Sequence, residues 1–215
     1  MAFKEIAPED LMLNPFTKIG KEWMLITAGA DAEHCNTMTA SWGAMGVMWG
    51  KNVVSVYIRP QRYTKEFIDA NEHFTCAFFG EGNQREALSL LGKVSGRDVP
   101  DKISQAGLTP VEVGGSVAFE EAELVFVCRK LYARELPPED FIDTSCDARW
   151  YPNHDYHTMY MAEIEKVLVK EELRTSRSKD ARTRARRDEG KPARGRGPRG
   201  LSTSELLFLP NCSQF

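Results

Sequence analysis

The stretch Val53-Val54-Ser55-Val56-Tyr57-Ile58-Arg59-Pro60-Gln61-Arg62-Tyr63-Thr64 carries the most distinct strand signal of the chain. Its first six residues are mostly β-branched or aromatic, as is typical of a strand. Pro60 ends that run because it has no backbone N–H to donate. Thr64 can cap a short helix in which Phe67 and Ile68 point inward. We therefore expect a strand, a turn that carries two arginines, and a short helix.

The segment Asn36-Thr37-Met38-Thr39-Ala40-Ser41-Trp42 is expected to be extended and to pair with the end of this stretch, Val56–Thr64. It follows a first predicted strand, Trp23–Gly29, and a polar loop, 30–35. Small hydroxyl side chains and backbone amides on an extended segment, with two arginines close by, suit a phosphate and a flat polar ring. For the hydroxyls and the arginines taken alone, a polar strand face and a solvated turn are the simpler interpretations.

The remaining pattern predicts a mainly β fold. Gly43, Gly46 and Gly50 are expected to break or bend the segment that follows Trp42. Short helices are predicted at Gln84–Leu91, capped by Asn83, and at Asp101–Ala106, which Gly107 ends. Further strands are predicted at His73–Phe79, Leu108–Val113, Val117–Phe119, Ala122–Leu131 and Thr158–Val169. Because helical crossovers are few, a closed or split antiparallel barrel is favoured over a doubly wound parallel sheet.

Composition and charge divide the chain near residue 173. The first 173 residues have a net charge of −10 and residues 174–215 one of +7, which together give the −3 of the whole chain. The basic segment lacks apolar periodicity over most of its length, so we predict a folded domain at 1–173 and a disordered tail at 174–215. A solvated extension without function is the expectation for this tail. Binding of nucleic acid phosphates and an out-of-frame extension are the alternatives.

Several classes of protein are not indicated. The chain has no run of 18 apolar residues and no apolar signal core, so we expect no membrane span and a cytoplasmic location. Its five cysteines are scattered, with no CxxC pair, and the histidines lack ligand spacing, so we predict no metal site. Cys76 and Cys128 lie in apolar runs and are expected to be buried. We expect no specific nucleic acid partner.

Four motifs, in this order along residues 16–169, resemble the flavin reductase-like, FMN-binding split-barrel family, especially its flavoredoxin-type branch. They are Asn36–Trp42, Tyr57–Thr64, Ser95–Asp98 and Asp155-Tyr156-His157-Thr158-Met159-Tyr160-Met161. The resemblance implies a split β-barrel that forms homodimers and holds FMN non-covalently near the subunit interface. In many family members the FMN accepts hydride from NADH or NADPH.

The chemistry of FMN assigns roles to these motifs. Arg59 and Arg62 provide planar donors for the phosphate, and Thr64 adds a hydroxyl at a helix start. The resemblance implies that residues 37–42 run along the ring and ribityl chain, with hydroxyls from Thr39 and Ser41 and amides from Met38 and Ala40. The predicted cofactor-binding residues are Asn36, Thr37, Met38, Thr39, Ala40, Ser41, Trp42, Arg59, Gln61, Arg62, Tyr63, Thr64, Lys93, Ser95 and Arg97.

Two parts of this assignment have a structural alternative. Lys93, Ser95 and Arg97 can reach the flavin, that of a partner subunit, or the phosphates of a nicotinamide nucleotide, but a solvated basic loop explains them equally well. His157 resembles the family histidine near the flavin ring, where it would bond the flavin or position the donor. A lone histidine at a strand start is otherwise more often structural.

The predicted function is hydride transfer from NADH or NADPH to bound FMN, followed by electron transfer to a flavin, metal or protein acceptor. This chemistry needs no nucleophile, since the protein fixes the ring and admits nicotinamide to one face. Two alternatives remain: a flavoredoxin-like electron carrier reduced by a protein partner, and a non-enzymatic FMN-binding protein. The sequence names neither the preferred nucleotide nor the terminal acceptor.

Overall fold

The protein is described by a computed structural model that covers residues 3–171. The predicted tail, 174–215, lies outside the described residues. Its disorder and the domain boundary at residue 173 therefore stay predictions.

The described residues form ten β-strands, and all the strand pairings are antiparallel. The strands are β1 Phe3–Ile6, β2 Met24–Gly29, β3 Cys35–Ala40, β4 Gly43–Met48, β5 Lys51–Ile58, β6 His73–Phe78, β7 Pro110–Val113, β8 Ser116–Phe119, β9 Leu124–Glu135 and β10 Thr158–Lys170. Eight of them form one sheet in the order β3-β2-β6-β9-β10-β5-β4, with β1 added on β10, and β7 pairs with β8 separately. This arrangement excludes a parallel doubly wound sheet.

The helices are short and lie between the strands. They are α1 Pro15–Thr17, α2 Thr64–Ala70, α3 Arg85–Lys93, α4 Lys102–Gln105 and α5 Thr144–Trp150, with a π-helical turn at Lys18–Glu22 and 3₁₀ turns at Pro8–Asp10 and Pro138–Asp140. None of the helices formed by residues 3–171 has the length and apolar character that a membrane crossing requires.

Strand β10 connects the two halves of the sheet. It pairs with β9 from Thr158 to Val169 and, on its other side, with two strands in succession. Its first half, to Glu163, pairs with β5, and its end, from Val167, pairs with β1. The two register shifts against β9, at Met161/Ala162 and Ile164/Lys166, lie around the position where the partner changes. A bulge bends a strand and increases its twist, so β10 can follow two directions.

The sheet curls around one hydrophobic core. Met38 of the edge strand β3 and Val54 of β5 belong to the same buried cluster as Phe126 of β9, and Met45 of the opposite edge strand β4 packs against it. A second cluster covers the other face of β2, β6 and β9 with residues of α3 and β8, among them Leu88. The fold is therefore a split antiparallel barrel with peripheral helices, as predicted.

Most predicted elements are present. Helix α5 was not predicted, and Thr64, the predicted cap of α2, is its first helical residue. Three further differences concern β4, β1 and α3. Gly43–Met48 forms strand β4 where the glycines were expected to break the chain, because β4 is a sheet-edge strand paired only with β5. Phe3–Ile6 also forms a strand that the sequence pattern did not indicate. The third difference concerns α3, which starts at Arg85 after Gln84, while the predicted cap Asn83 donates to Glu123 instead.

Phe126 is fully buried and packs on Phe78 with 5.5 Å between ring centroids. Phe126→Ala should lower the free energy of unfolding by about 3–5 kcal/mol, the usual cost of an aromatic core truncation. Tyr132→Ala on the same strand, where the side chain is 39% exposed, is the control and should cost less than about 1 kcal/mol. Urea denaturation measures both, and equal losses would contradict the described core.

Candidate functional site

A buried hydrogen bond joins the two motifs that the sequence singled out. Asn36 Nδ2 donates to Thr64 Oγ1 at 2.7 Å, across 28 residues of sequence. Thr64 is the first residue of α2, directly after the turn that ends β5. Both residues are buried, and an unpaired polar group there would cost about 1–3 kcal/mol. The bond therefore fixes the start of α2 against β3. The predicted strand pairing of the two motifs is wrong, because β3 pairs with β2 and four strands separate it from β5 in the sheet order.

Arg62 lies in the turn before α2 and points toward the end of α3. Its Nη1 donates to the carbonyl oxygen of Gly92 at 2.7 Å, and burial lowers its pKa. A guanidinium carries five N–H donors, of which this bond uses one. Arg62 therefore keeps planar donor capacity beside the loop that follows α3.

Lys102 is a second buried cation in the same place, and the sequence analysis missed it. Its Nζ donates to Thr37 O at 2.7 Å and to Val94 O at 3.2 Å, and the residue is only 2% exposed. Burial, and to a smaller extent the charge of Arg62, lowers its pKa to about 8. One sequence signal could have found Lys102. It lies four residues before the partly buried Ala106, a spacing that puts both on the inner face of a helix.

Arg62 and Lys102 lie close enough for their charges to interact, and no carboxylate among residues 3–171 forms an ion pair with either. In the hydrogen bonds formed by residues 3–171, both donate to backbone carbonyls. Like charges in a buried site destabilise each other, and an anion between them would relieve this repulsion. The pair is therefore suited to a dianionic phosphate. We call Asn36, Arg62, Thr64, Gly96 and Lys102 the Arg62 cluster.

The loop after α3 approaches β3 closely at Gly96. A Cβ built on Gly96 would lie 2.3 Å from Asn36 Oδ1, so a side chain there would displace Asn36 or the loop. Ser95 Oγ accepts a hydrogen bond from the backbone N–H of Arg97 at 3.2 Å. The Arg97 side chain forms an ion pair with Glu66 and lies 4.8 Å from the Tyr63 ring centroid. Glycine thus permits the close approach that closes the Arg62 cluster.

Strand β3 presents one backbone edge to this cluster. In an antiparallel ladder the N–H and C=O of one residue point to the same side. Thr37 O accepts a hydrogen bond from Lys102, so the N–H and C=O of Thr37 point away from β2. Those of the next residue, Met38, therefore point toward β2. The hydroxyls of Thr37 and Thr39 are bonded within the protein, to Thr27 Oγ1 and Leu88 O respectively. The backbone of Thr37 is therefore the part of β3 that faces Lys102.

The structure separates Arg59 from Arg62. Arg59 Nη2 donates to Trp150 O at 2.8 Å, and its Nη1 lies 2.5 Å from Asp155 Oδ2. Gln61 Nε2 donates to the same carboxylate oxygen at 2.7 Å. Partial burial disfavours the Asp155 anion, but these two bonds outweigh it and hold its pKa below the usual value. The Arg59 side chain thus anchors the segment before β10.

His157, the predicted catalytic residue, lies at the end of that segment. Its Nδ1 is 2.8 Å from the Tyr151 hydroxyl, and its ring centroid is 5.1 Å from that of Trp42. Burial, followed by the charge of Arg59, lowers the pKa of His157 to about 4. The imidazole is therefore neutral at pH 7. Arg59, Trp42, Tyr151, Asp155 and His157 form what we call the His157 cluster.

An open cavity of about 540 Å³ adjoins the His157 cluster, and we call it the Trp42 cavity. It lies between the α1 region, the turn from β3 to β4, and Tyr151. Its lining residues are Pro15, Phe16, Ile19, Gly20, Ser41, Trp42, Gly43, Ala44, Met45, Tyr57, Leu136 and Tyr151.

Most of the predicted site residues fall into two groups. Asn36, Arg62 and Thr64 meet at the Arg62 cluster, with Ser95 and Arg97 on the adjacent loop. Ser41, Trp42, Arg59, Gln61 and His157 lie at or beside the Trp42 cavity. Of the others, Thr37, Met38, Thr39 and Ala40 lie along β3, and Tyr63 directly precedes α2. Lys93 is the exposed last residue of α3. The Arg62 cluster fits a phosphate, since it combines two cations, a hydroxyl and a loop that a Cβ would block. The roles of all these residues as flavin ligands stay predictions.

The lowered pKa of His157 predicts a specific pH dependence of stability. Unfolded histidine takes up a proton near pH 6.5, but folded His157 does so only near pH 4. Between these values the unfolded chain binds more protons, so stability falls as the pH falls from about 6.5 to 4. The loss attributable to His157 should reach about 3 kcal/mol.

Urea denaturation of wild type and His157→Gln across pH 4–7.5 measures this contribution. The glutamine variant should show a flatter profile in that window. His34→Gln is the control, because the His34 side chain is 74% exposed. Parallel profiles for wild type and His157→Gln would show that His157 does not have this lowered pKa.

Comparison with solved structures confirms the fold. An FMN-binding domain of a flavin reductases-like enzyme from Shewanella baltica OS155 superposes with a TM-score of 0.54 at 14% identity, over 78% of this chain and 77% of that one. Flavoredoxin of Desulfovibrio vulgaris (Miyazaki F) gives 0.52 at 20% identity, over 70% of each chain. An NADH:FAD oxidoreductase of Streptomyces globisporus C-1027, solved with NAD and FAD fragments, gives 0.51 at 14% identity, over 69% of this chain and 74% of that one.

Comparison of sequences places the chain in a family. No curated protein matches it. The family described as "Flavin reductase like domain" matches residues 16–184, which include both clusters and every lining residue of the Trp42 cavity except Pro15. This chain therefore belongs to the flavin reductase-like domain family.

Proposed function

We propose that the protein is an FMN-dependent oxidoreductase that takes hydride from NADH or NADPH and passes the electrons to a separate acceptor. The buried pair of cations in the Arg62 cluster is the observation that carries this proposal. FMN has a dianionic phosphate, which such a site can hold with charge-assisted hydrogen bonds. When bound, FMN would supply the hydride and electron chemistry.

The chain's own residues would hold and orient the cofactor. Arg62 and Lys102 would neutralise the phosphate, and the α2 start at Thr64 would add a hydroxyl. The edge of β3 leads from this cluster toward Ser41 and Trp42, which line the Trp42 cavity. An extended cofactor following that edge would bring its ring beside Trp42 and His157, at the edge of the cavity. There, neutral His157 can donate or accept a hydrogen bond but contributes no charge.

The proposed quaternary structure is a homodimer, as the family resemblance implies. Val47, Met48 and Trp49 at the β4–β5 turn are exposed by 73%, 41% and 60%. Clustered exposed apolar side chains are typical of protein interfaces. The hairpin is therefore the proposed contact surface, and the proposed location is the cytoplasm.

Arg62→Gln tests the proposed phosphate site. Loss of a charge-assisted hydrogen bond of about 1.5–3 kcal/mol should raise the FMN dissociation constant about 10-fold to 100-fold. Riboflavin has the same ring without the phosphate, so its affinity should not change. Flavin fluorescence titration measures both ligands.

Three further variants sharpen the comparison. Lys102→Met should behave as Arg62→Gln does, and Lys166→Gln is the control because the Lys166 side chain is 47% exposed and pairs with Glu5, away from both clusters. Arg59→Ala tests the other predicted phosphate ligand and should also weaken FMN binding, although the Arg59 guanidinium is held by Asp155 and Trp150. Equal effects of Arg62→Gln on FMN and riboflavin would rule out Arg62 as a phosphate ligand.

The enzymatic step is tested with the FMN-loaded protein. Stopped-flow mixing with NADH or NADPH should bleach the flavin absorbance within seconds, because the proposal requires direct hydride transfer. A holoprotein that both nucleotides leave oxidised, but that a protein partner reduces, would be an electron carrier instead. A protein that binds no added FMN would contradict both functions.

A further inference from the structure

The Trp42 cavity has a composition that selects for uncharged ligands. Its walls are formed by aromatic and apolar side chains, chiefly Phe16, Trp42, Met45 and Leu136, with hydroxyls from Ser41 and Tyr57. Within the described chain, no charged residue lines it. Burying a charge without a partner is strongly unfavourable. An ionic ligand would therefore be excluded from this cavity relative to a neutral one of the same shape.

The size of the cavity sets the size of its ligand. A volume of about 540 Å³ is within the range of small-molecule pockets, and it is large enough for a flat molecule of one or two fused rings. Aromatic walls such as Trp42 favour a flat ring through stacked or edge contacts. The cations of the Arg62 cluster, Arg62 and Lys102, do not line the cavity, so a ligand confined to it has no phosphate partner.

One wall of the cavity carries a hydrogen-bonded pair, Tyr151 and His157, whose donor and acceptor roles can be exchanged. Tyr151 lines the cavity, and its hydroxyl is 2.8 Å from His157 Nδ1. In one imidazole tautomer Nδ1 donates to the tyrosine oxygen, which leaves the phenol hydrogen for a ligand carbonyl. In the other, Tyr151 donates to Nδ1 and its oxygen can accept from a ligand hydroxyl. The same pair can thus serve a carbonyl and a hydroxyl at one position.

We propose that the Trp42 cavity binds a small uncharged aromatic acceptor of the quinone class, in both its quinone and its hydroquinone form. This inference rests on the proposed function, whose acceptor it names. The overall reaction is quinone plus NAD(P)H plus a proton giving hydroquinone plus NAD(P)⁺. The two electrons and one hydrogen come from NAD(P)H, and the second hydrogen is a proton from water. Tyr151 would hydrogen-bond the ligand oxygen in both forms.

Binding is tested on the full-length FMN-loaded protein with 2-naphthol, a stable two-ring phenol. Calorimetry should show one site per chain. Naphthalene-2-sulfonate has the same rings with a fixed charge, and it should bind at least tenfold more weakly. Equal affinity for the two compounds would overturn the proposed selection against charge.

Two matched pairs of variants locate the site. Gly20 lines the cavity and Gly46 does not, and a Cβ on either would meet no atom within 4 Å. Gly20→Leu should weaken naphthol binding at least tenfold by occupying the cavity, and Gly46→Leu should not. An equal response of the two variants would place naphthol elsewhere.

The second pair tests the hydroxyl of Tyr151. Tyr151→Phe should weaken naphthol binding about fivefold, as expected for one lost hydrogen bond. Tyr156→Phe is its control, since the Tyr156 ring stacks on Tyr151 at 4.9 Å but its hydroxyl donates to Asp147. If the two phenylalanine variants bind naphthol equally, Tyr151 does not bond the ligand.

The same titrations separate failure of this inference from failure of the proposed function. If naphthol is released in proportion to the amount of FMN taken up, the flavin ring itself fills the cavity, and the inference alone is overturned. The inference alone is also overturned if the protein takes up FMN but binds no naphthol. A protein that takes up no FMN overturns the proposed function, and the inference that rests on it.

Discussion

The partner change along β10 is the constraint on which the rest of the fold depends. One strand of 13 residues pairs along most of its length with β9, and on its other side with β5 and then β1. The sheet therefore cannot stay flat, and it closes around the core that contains Val56, Phe126 and Tyr160. The first residues of β10 follow His157 directly, so the same pairing fixes that histidine near the β5 end and its arginines.

This constraint explains why one turn serves two sites. Arg59 and Arg62 leave the end of β5 three residues apart, but the first is held by the segment before β10 and the second by the end of α3. The turn thus links the His157 cluster to the Arg62 cluster. A phosphate at one and a ring at the other would be joined along the edge of β3, which is bonded to α2 through Asn36 and Thr64.

The sequence predicted most of the fold because its strands carry strong local signals. β-branched and aromatic residues mark β5 and β9, and the helical spacing of Ala87, Leu88 and Leu91 agrees with their burial on one face of α3. Strand β4 was not predicted, because Gly43 and Gly46 have low strand propensity. Pairing with β5 compensates for this low propensity. Lys102 was not predicted as a site residue, because a lysine is expected at the surface. Its burial depends on the carbonyl groups of Thr37 and Val94, which only the folded chain brings together.

By itself, the sequence determined the strand-rich class, the position of the motifs and the type of donor groups present, since propensity and chemistry are properties of short segments. Only the tertiary structure decided how those donors are shared between sites. Arg59 and Arg62 have the same side chain and lie three residues apart in one turn, but the Asp155 carboxylate lies at one and a second buried cation at the other. Which arginine keeps donors for an anion depends on contacts between residues 30 to 96 positions apart.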